Sequence, residues 1–196
     1  GVLKFMKEAR KQGIKPIIGC EVYVAKESRN DKRGKHDRAG RHLILLAKSL
    51  EGYKNLSKLV SLGYIEGFYY TPRIDKEILA KYSKGIIAST ACLGGELPQA
   101  IMNQDEEQVD AVVQEFIDIF GDDFYLELQD HGHEEQKSVN KKMIDLAQKF
   151  NRKLIATNDV HFVNKEDFEA HRILICLNTG KDLDDVTGMH YTGNEY

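Results

Sequence analysis

The chain has 196 residues, 41% of them hydrophobic and 30% charged, with 28 Lys and Arg against 31 Asp and Glu and a formal net charge of −3. That length supports one sizeable core and is short for two independent domains, while the charge argues against bulk attraction to nucleic acid. No apolar run approaches the roughly 20 residues that cross a bilayer, and three cysteines, Cys20, Cys92 and Cys176, lack the density of a disulfide framework, so a reducing cytoplasm fits.

The opening "GVLKFMKEARKQG" reads as an amphipathic helix over 2–12, without a secretory apolar region or cleavage site. A strand follows at 15–25, "KPIIGCEVYVA". The next segment, Lys26 to Arg41, holds seven Lys or Arg against three acids. Such a long excursion is usually functional or mobile. Its Lys32, Arg33, Lys35, Arg38 and Arg41 are candidates for contact with a phosphate backbone, the alternative being ordinary solvated surface.

Further strands are expected at 42–49, 85–90, 124–129 and 153–158. Residues 104–123 hold eight acids and no base, yet Val109, Val112, Val113, Phe116, Ile117 and Phe120 recur at helical spacing, so this is one apolar stripe on an acidic helix. Its acidic face is either solvated or a docking face for a partner. Val139, Met143, Leu146, Ala147 and Phe150 mark a second helix, and Asn164 with Asp167 opens a third. Gly121 and Gly180 stand where C-terminal caps belong. Strand–helix alternation predicts an α/β fold with a parallel sheet, open or closed into a barrel. Both ends look like cuts in a longer chain: a helix stands where a strand would begin the fold, and the last fifteen residues are polar and aperiodic.

Parallel α/β folds place ligands at the carboxyl ends of their strands. Glu21 lies in the first strand, Cys92 follows "GIIAST" in a glycine-rich turn, and Asp159 and His161 follow "KLIATN". His42 starts its strand and so breaks the rule. Carboxylate, imidazole and thiolate together suit Zn²⁺ or Mn²⁺. Asp159 and His161 would point the same way if extended geometry continued past the strand. Bland readings stand beside these: a capping Asp, a surface His, a small buried Cys, and a Glu21 that pairs with Lys or Arg. His131 and His133 open a polar helix and read as solvated; His36, His171 and His190 read as structural or solvent-facing. No P-loop, dinucleotide fingerprint or nucleophile elbow appears, nor a carboxylate set suited to nucleotide addition.

Five blocks in order, "KPIIGCEVYVA", the stretch "RHLILLAKSLEGYKNLSKLVSLGYIEGFYYTPRID", "GIIASTACLGGELPQAI", "FYLELQDHG" and "ATNDVHF", resemble the PHP (polymerase and histidinol phosphatase) domain of the bacterial DNA polymerase III alpha subunit, DnaE type. The resemblance covers nearly the whole chain, and no proofreading exonuclease interrupts it as in the PolC form. It implies a distorted (β/α)7 TIM-like barrel, here lacking its first strands, with a PHP domain over 1–182 and the start of a connection to the polymerase core over 183–196. It also implies a divalent metal cluster, with Glu21, His42, Cys92, Asp159 and His161 as ligands and no such role for His131 or His133.

The family's opening H-x-H strand and "TDHG"-like motif are absent, so the cluster is expected to be incomplete here, and the chain alone inactive. For the parent, the resemblance implies DNA-directed DNA polymerase activity, with metal-dependent phosphoester hydrolysis or 3′–5′ exonuclease activity in this domain. The alternative is a non-catalytic scaffold that docks a separate proofreading subunit; a stand-alone histidinol-phosphate-type phosphatase is a third reading. Implied partners are DNA, other replicase subunits, a proofreading subunit and the sliding clamp.

Overall fold

Alternation along the apolar runs decides which side of each strand meets the helices. In β1 (Ile18–Val24) Val22 and Val24 are buried, and in β2 (Arg41–Ala47) Leu43 and Leu45 are. The computed structural model describes residues 1–184. Its remaining elements are α1 (Val2–Lys11), α2 (Leu50–Ile65), β3 (Arg73–Ile74), α3 (Lys76–Tyr82), β4 (Ile86–Ser89), α4 (Glu96–Met102), α5 (Glu106–Phe120), β5 (Phe124–Leu128), α6 (Glu134–Lys149), β6 (Lys153–Ala156) and α7 (Phe168–Thr179). Helix starts are set by short polar caps: Ser49, Asp75 and Asp105 each accept a backbone N–H three residues on. Gly121 and Gly180 end α5 and α7 at positive φ, as expected.

The strands form one six-stranded sheet in the order β3-β1-β2-β4-β5-β6. The expectation of a parallel sheet needs one correction. β2 pairs antiparallel with both β1 and β4, while the other pairings are parallel, so β2 alone runs against the rest. The reason lies in the connection, since a parallel return needs a crossover, usually a helix, and residues 25–40 contain only one short 3-10 turn.

The core fills one face of the sheet. Leu43, Leu45, Ile86, Ala88, Phe124 and Leu126 meet Leu59 of α2, Leu79 of α3, Leu97 of α4, Phe116 of α5 and Met143 of α6. Phe116 and Phe124 stack with ring centroids 5.3 Å apart. α1 and α7 bury no residue, and every residue of β6 is exposed. The opposite face carries Glu21, Tyr23, His42, Ser89 and Glu127 by strand alternation. The sheet is open, with β3 and β6 at its edges.

The basic excursion is built around Arg73, 1% exposed, which sequence reading did not single out. Its guanidinium donates to the carbonyls of Asp37 (2.6 Å), Asp31 (2.8 Å), Arg29 (3.1 Å) and Gly67 (3.2 Å). The loop is therefore tied to the sheet edge along its length. The acidic helix α5 also finds partners within the chain: Glu106 and Asp110 pair with Lys142 and Lys149 of α6, and Glu115 with Lys76.

Candidate metal centre

The reversed direction of β2 brings His42 to the others. The start of β2 lies level with the carboxyl end of β1, with His42 opposite Tyr23 and Ile44 opposite Glu21. Glu21 and His42 share a face, and His42 Nδ1 lies 3.0 Å from Glu21 Oε1. Cys92 Sγ stands 3.3 Å from the same nitrogen. The exception that weakened His42 as a candidate thus follows from strand direction. The Lys or Arg partner considered for Glu21 is not what the fold supplies; its partner is His42.

Cys92 is carried by a turn that only glycine can complete. The His42 backbone N–H donates to the Gly94 carbonyl at 3.1 Å, and a Cβ on Gly94 would stand 3.0 Å from His42 Nδ1. A Cβ on Gly95 would lie 2.1 Å from the Thr90 carbonyl oxygen, which no real side chain tolerates. Ala91, next to Cys92, has φ 59°. A non-glycine residue there is held at a cost of order 1–3 kcal/mol, a feature that clusters at functional turns.

Burial pushes the Cys92 thiol up to about 11, and the negative charges of Asp159 and Glu21 add to the push, against a hydrogen bond from the Gly94 N–H. The thiol is therefore protonated at neutral pH. Burial followed by Glu21 also raises Tyr23, whose ring meets His42 edge-on at 5.1 Å.

The second group is arranged differently from expectation. Extended geometry does not continue past β6, because Asp159 has φ 45°. His161 turns back so that Nδ1 lies 2.6 Å from the Asp159 carbonyl. A carbonyl only accepts, so Nδ1 carries the proton in that contact. His161 lies 5.7 Å from the ring of His171, whose pKa is lowered by burial and then by His161.

The donors are of the kinds that hold a borderline divalent ion, and the Glu21 carboxylate has no Lys or Arg ion pair among the described residues. Also among the described residues, no three His, Cys, Asp or Glu side chains stand together closely enough to hold an ion. His131 differs from its solvated expectation: it is buried, accepts from Gln136 Nε2 at 2.9 Å through Nδ1 and donates to the Asn158 carbonyl at 2.9 Å through Nε2. His36 is exposed, and His190 lies outside the described residues, as do residues 185–196 of the expected connection.

Of the basic-loop candidates, Lys32 and Lys35 are exposed, while Arg33 pairs with Glu27, Asp31 and Asp37. Arg38 lies 4.0 Å over the Tyr70 ring, and Arg41 lines a cleft of about 270 Å³ with Lys26, Gln99 and Asn103. Two of the five candidate charges are thus engaged within the chain. Sequence reading missed a buried acid, Glu127; its only signal was a charged residue inside the apolar run "FYLELQ".

A PHP domain model matches residues 1–131. Three curated relatives, each called DNA polymerase III subunit alpha, are 47% identical (Borreliella burgdorferi), 46% identical (Thermus aquaticus) and 44% identical (Aquifex aeolicus). The matches cover 100%, 100% and 97% of this chain, but the chain spans only 16–17% of those relatives' length. Glu21, His42 and Cys92 fall within the family match; Asp159 and His161 fall within the longer pairwise matches alone.

Proposed function

The chain belongs to the PHP domain family and corresponds to part of DNA polymerase III alpha subunits, and on that premise we propose that it serves a cytoplasmic replicative DNA polymerase as a metal-dependent phosphodiesterase domain, a 3′–5′ exonuclease. Its open sheet is then an arc of a (β/α)7 barrel spanning 1–182. Glu21, His42, Cys92, Asp159 and His161 would hold Zn²⁺ or Mn²⁺, which supplies Lewis-acid polarisation of a phosphate oxygen and acidification of a water. The observation that carries this reading is the meeting of Glu21, His42 and Cys92 at one imidazole nitrogen, from three separate segments.

The residues themselves account for part of the chemistry. The Asp159 carbonyl orients the His161 ring through Nδ1–H, and Glu21 holds His42 in place. Glu21 and Asp159 set a negative potential at Cys92, favouring a cation there. Lys26, Lys32 and Lys35 of the excursion between β1 and β2, with Arg41 at the start of β2, would meet the DNA backbone. Asp159→Ala in the intact polymerase is expected to abolish metal-dependent exonuclease activity and leave nucleotide addition unchanged. Unchanged exonuclease, once any copurifying proofreader is removed, would overturn the assignment.

A second reading has its own observation: although Glu21 and Cys92 both reach His42, no three donors among the described residues are arranged so that they could hold one ion. On it the domain is a scaffold that stabilises the polymerase and docks a proofreading subunit, with the sliding clamp and other replicase subunits nearby. Elemental mass spectrometry of the purified polymerase distinguishes the two, since a scaffold carries no stoichiometric metal.

A further inference from the structure

Behind the candidate donors lies a second cluster, which the proposed chemistry leaves unused. Glu127 is the one acid of β5 and is 6% exposed. Its Oε2 accepts from the Ser89 hydroxyl at 2.5 Å. Its Oε1 accepts from Gln129 Nε2 at 3.0 Å and from the Thr157 hydroxyl. Its backbone N–H donates to Thr90 Oγ1 at 2.9 Å. No Lys, Arg or His is paired with this carboxylate among the described residues, so its burial is offset by neutral donors alone. An apolar residue in its place would leave the Ser89, Gln129 and Thr157 donors without this acceptor.

The placement of the donors shows what the carboxylate accomplishes. Ser89 ends β4, three residues before Cys92. Thr157 follows β6, two residues before Asp159 and four before His161. One carboxylate oxygen therefore holds the turn of Cys92, and the other holds the turn of Asp159 and His161. Glu127, Gln129 and Cys92 also line one crevice of about 10 Å³, room for about one water.

We propose that Glu127 is a positioning residue, a two-handed clamp that sets the separation of the Cys92 turn from the Asp159–His161 turn and so the metal affinity of the site. The inference rests on the metal-centre reading for its purpose, but the clamp can be judged without metal. Two backbone amides report on it: Gly95 N–H, bonded to the Cys92 carbonyl, and Thr157 N–H, bonded to the Leu128 carbonyl.

The test is hydrogen exchange on the chain and its variants, with Co²⁺ titration alongside. Glu127→Ala is expected to speed exchange at both Gly95 and Thr157 by about tenfold, while α2 amides such as Val60 stay unchanged. Ser89→Ala speeds Gly95 only, and Thr157→Val speeds the 157–161 turn only; these milder variants carry the test if Glu127→Ala does not fold. Glu127→Gln keeps an acceptor for Thr157 and Gln129, and its amide can donate to the rotatable Ser89 hydroxyl, so it restores slow exchange. Co²⁺ affinity is expected to fall about tenfold or more in Glu127→Ala and to recover in Glu127→Gln. Equal acceleration at Val60, or side-specific variants that affect both turns alike, would make Glu127 a plain core residue and overturn the clamp. If the unaltered sequence binds no Co²⁺ at this site within the intact polymerase, the metal reading falls while the exchange data still decide the clamp.

Discussion

The two halves of the candidate centre are held by different means. Glu21 and His42 sit on strands paired along seven positions, and β2 is flanked by β1 and β4. Cys92 is locked onto His42 by a turn with no room for a side chain at Gly95. Asp159 and His161 instead hang from β6, an edge strand with every residue exposed, and they follow a residue-level break in extended geometry. Pairing on both sides fixes a side chain by backbone alone; pairing on one side leaves the work to side-chain bonds such as the Thr157–Glu127 contact. A site assembled from one rigid half and one tethered half can be adjusted through the tether without disturbing the fold.

Substitution at the rigid half should do the most damage. Gly95→Ala forces a Cβ against the Thr90 carbonyl and is expected to cost about 3 kcal/mol in urea denaturation; a cost near zero would mean that the turn is far looser than its geometry. Next come two leucines that are register partners on adjacent strands. Leu126 of β5 is fully buried and Leu154 of β6 is 40% exposed. Leu126→Ala should cost about 3 kcal/mol and Leu154→Ala less than about 1 kcal/mol. Equal costs would erase the contrast between inner and edge strand.

A pH dependence sharpens the same contrast at Cys92. Its thiol ionises near 9.0 when unfolded and near 11 when folded. Because the folded value is the higher, the stabilisation is intact below pH 9 and is lost as pH rises from 9 to 11. Alkylation of Cys92, followed by mass spectrometry, should keep accelerating through that window; a plateau near pH 9 would show an unperturbed thiol. The smallest effect tests whether the halves are electrically coupled. Asp159→Asn should lower the Cys92 value, since Asp159 is one of the charges raising it. No change would place Asp159 out of reach.

Much of the architecture was legible in the order of residues. The five expected strands and the helices on Val109–Phe120 and Val139–Phe150 all form, because period-two and helical apolar patterns are local signals. The Asn164–Asp167 capping pair and the glycine caps at Gly121 and Gly180 are local too. What could not be read locally was direction. Alternation is the same whichever way a strand runs, so the reversal of β2, and with it the place of His42, depended on how the 25–40 excursion returned. The lack of a helical pattern there was the one available hint.

Sequence alone therefore determined which segments are strands and helices, which faces are apolar, and which side chains have the chemistry to hold a metal. Only the tertiary structure decided that Glu21, His42 and Cys92 meet, that His131 is buried, and that Arg73 and Glu127 tie distant segments together. The physical reason is that apolar periodicity is written in neighbours a few residues apart, whereas a carboxylate inside a sheet is satisfied by hydroxyls 30 and 38 residues away.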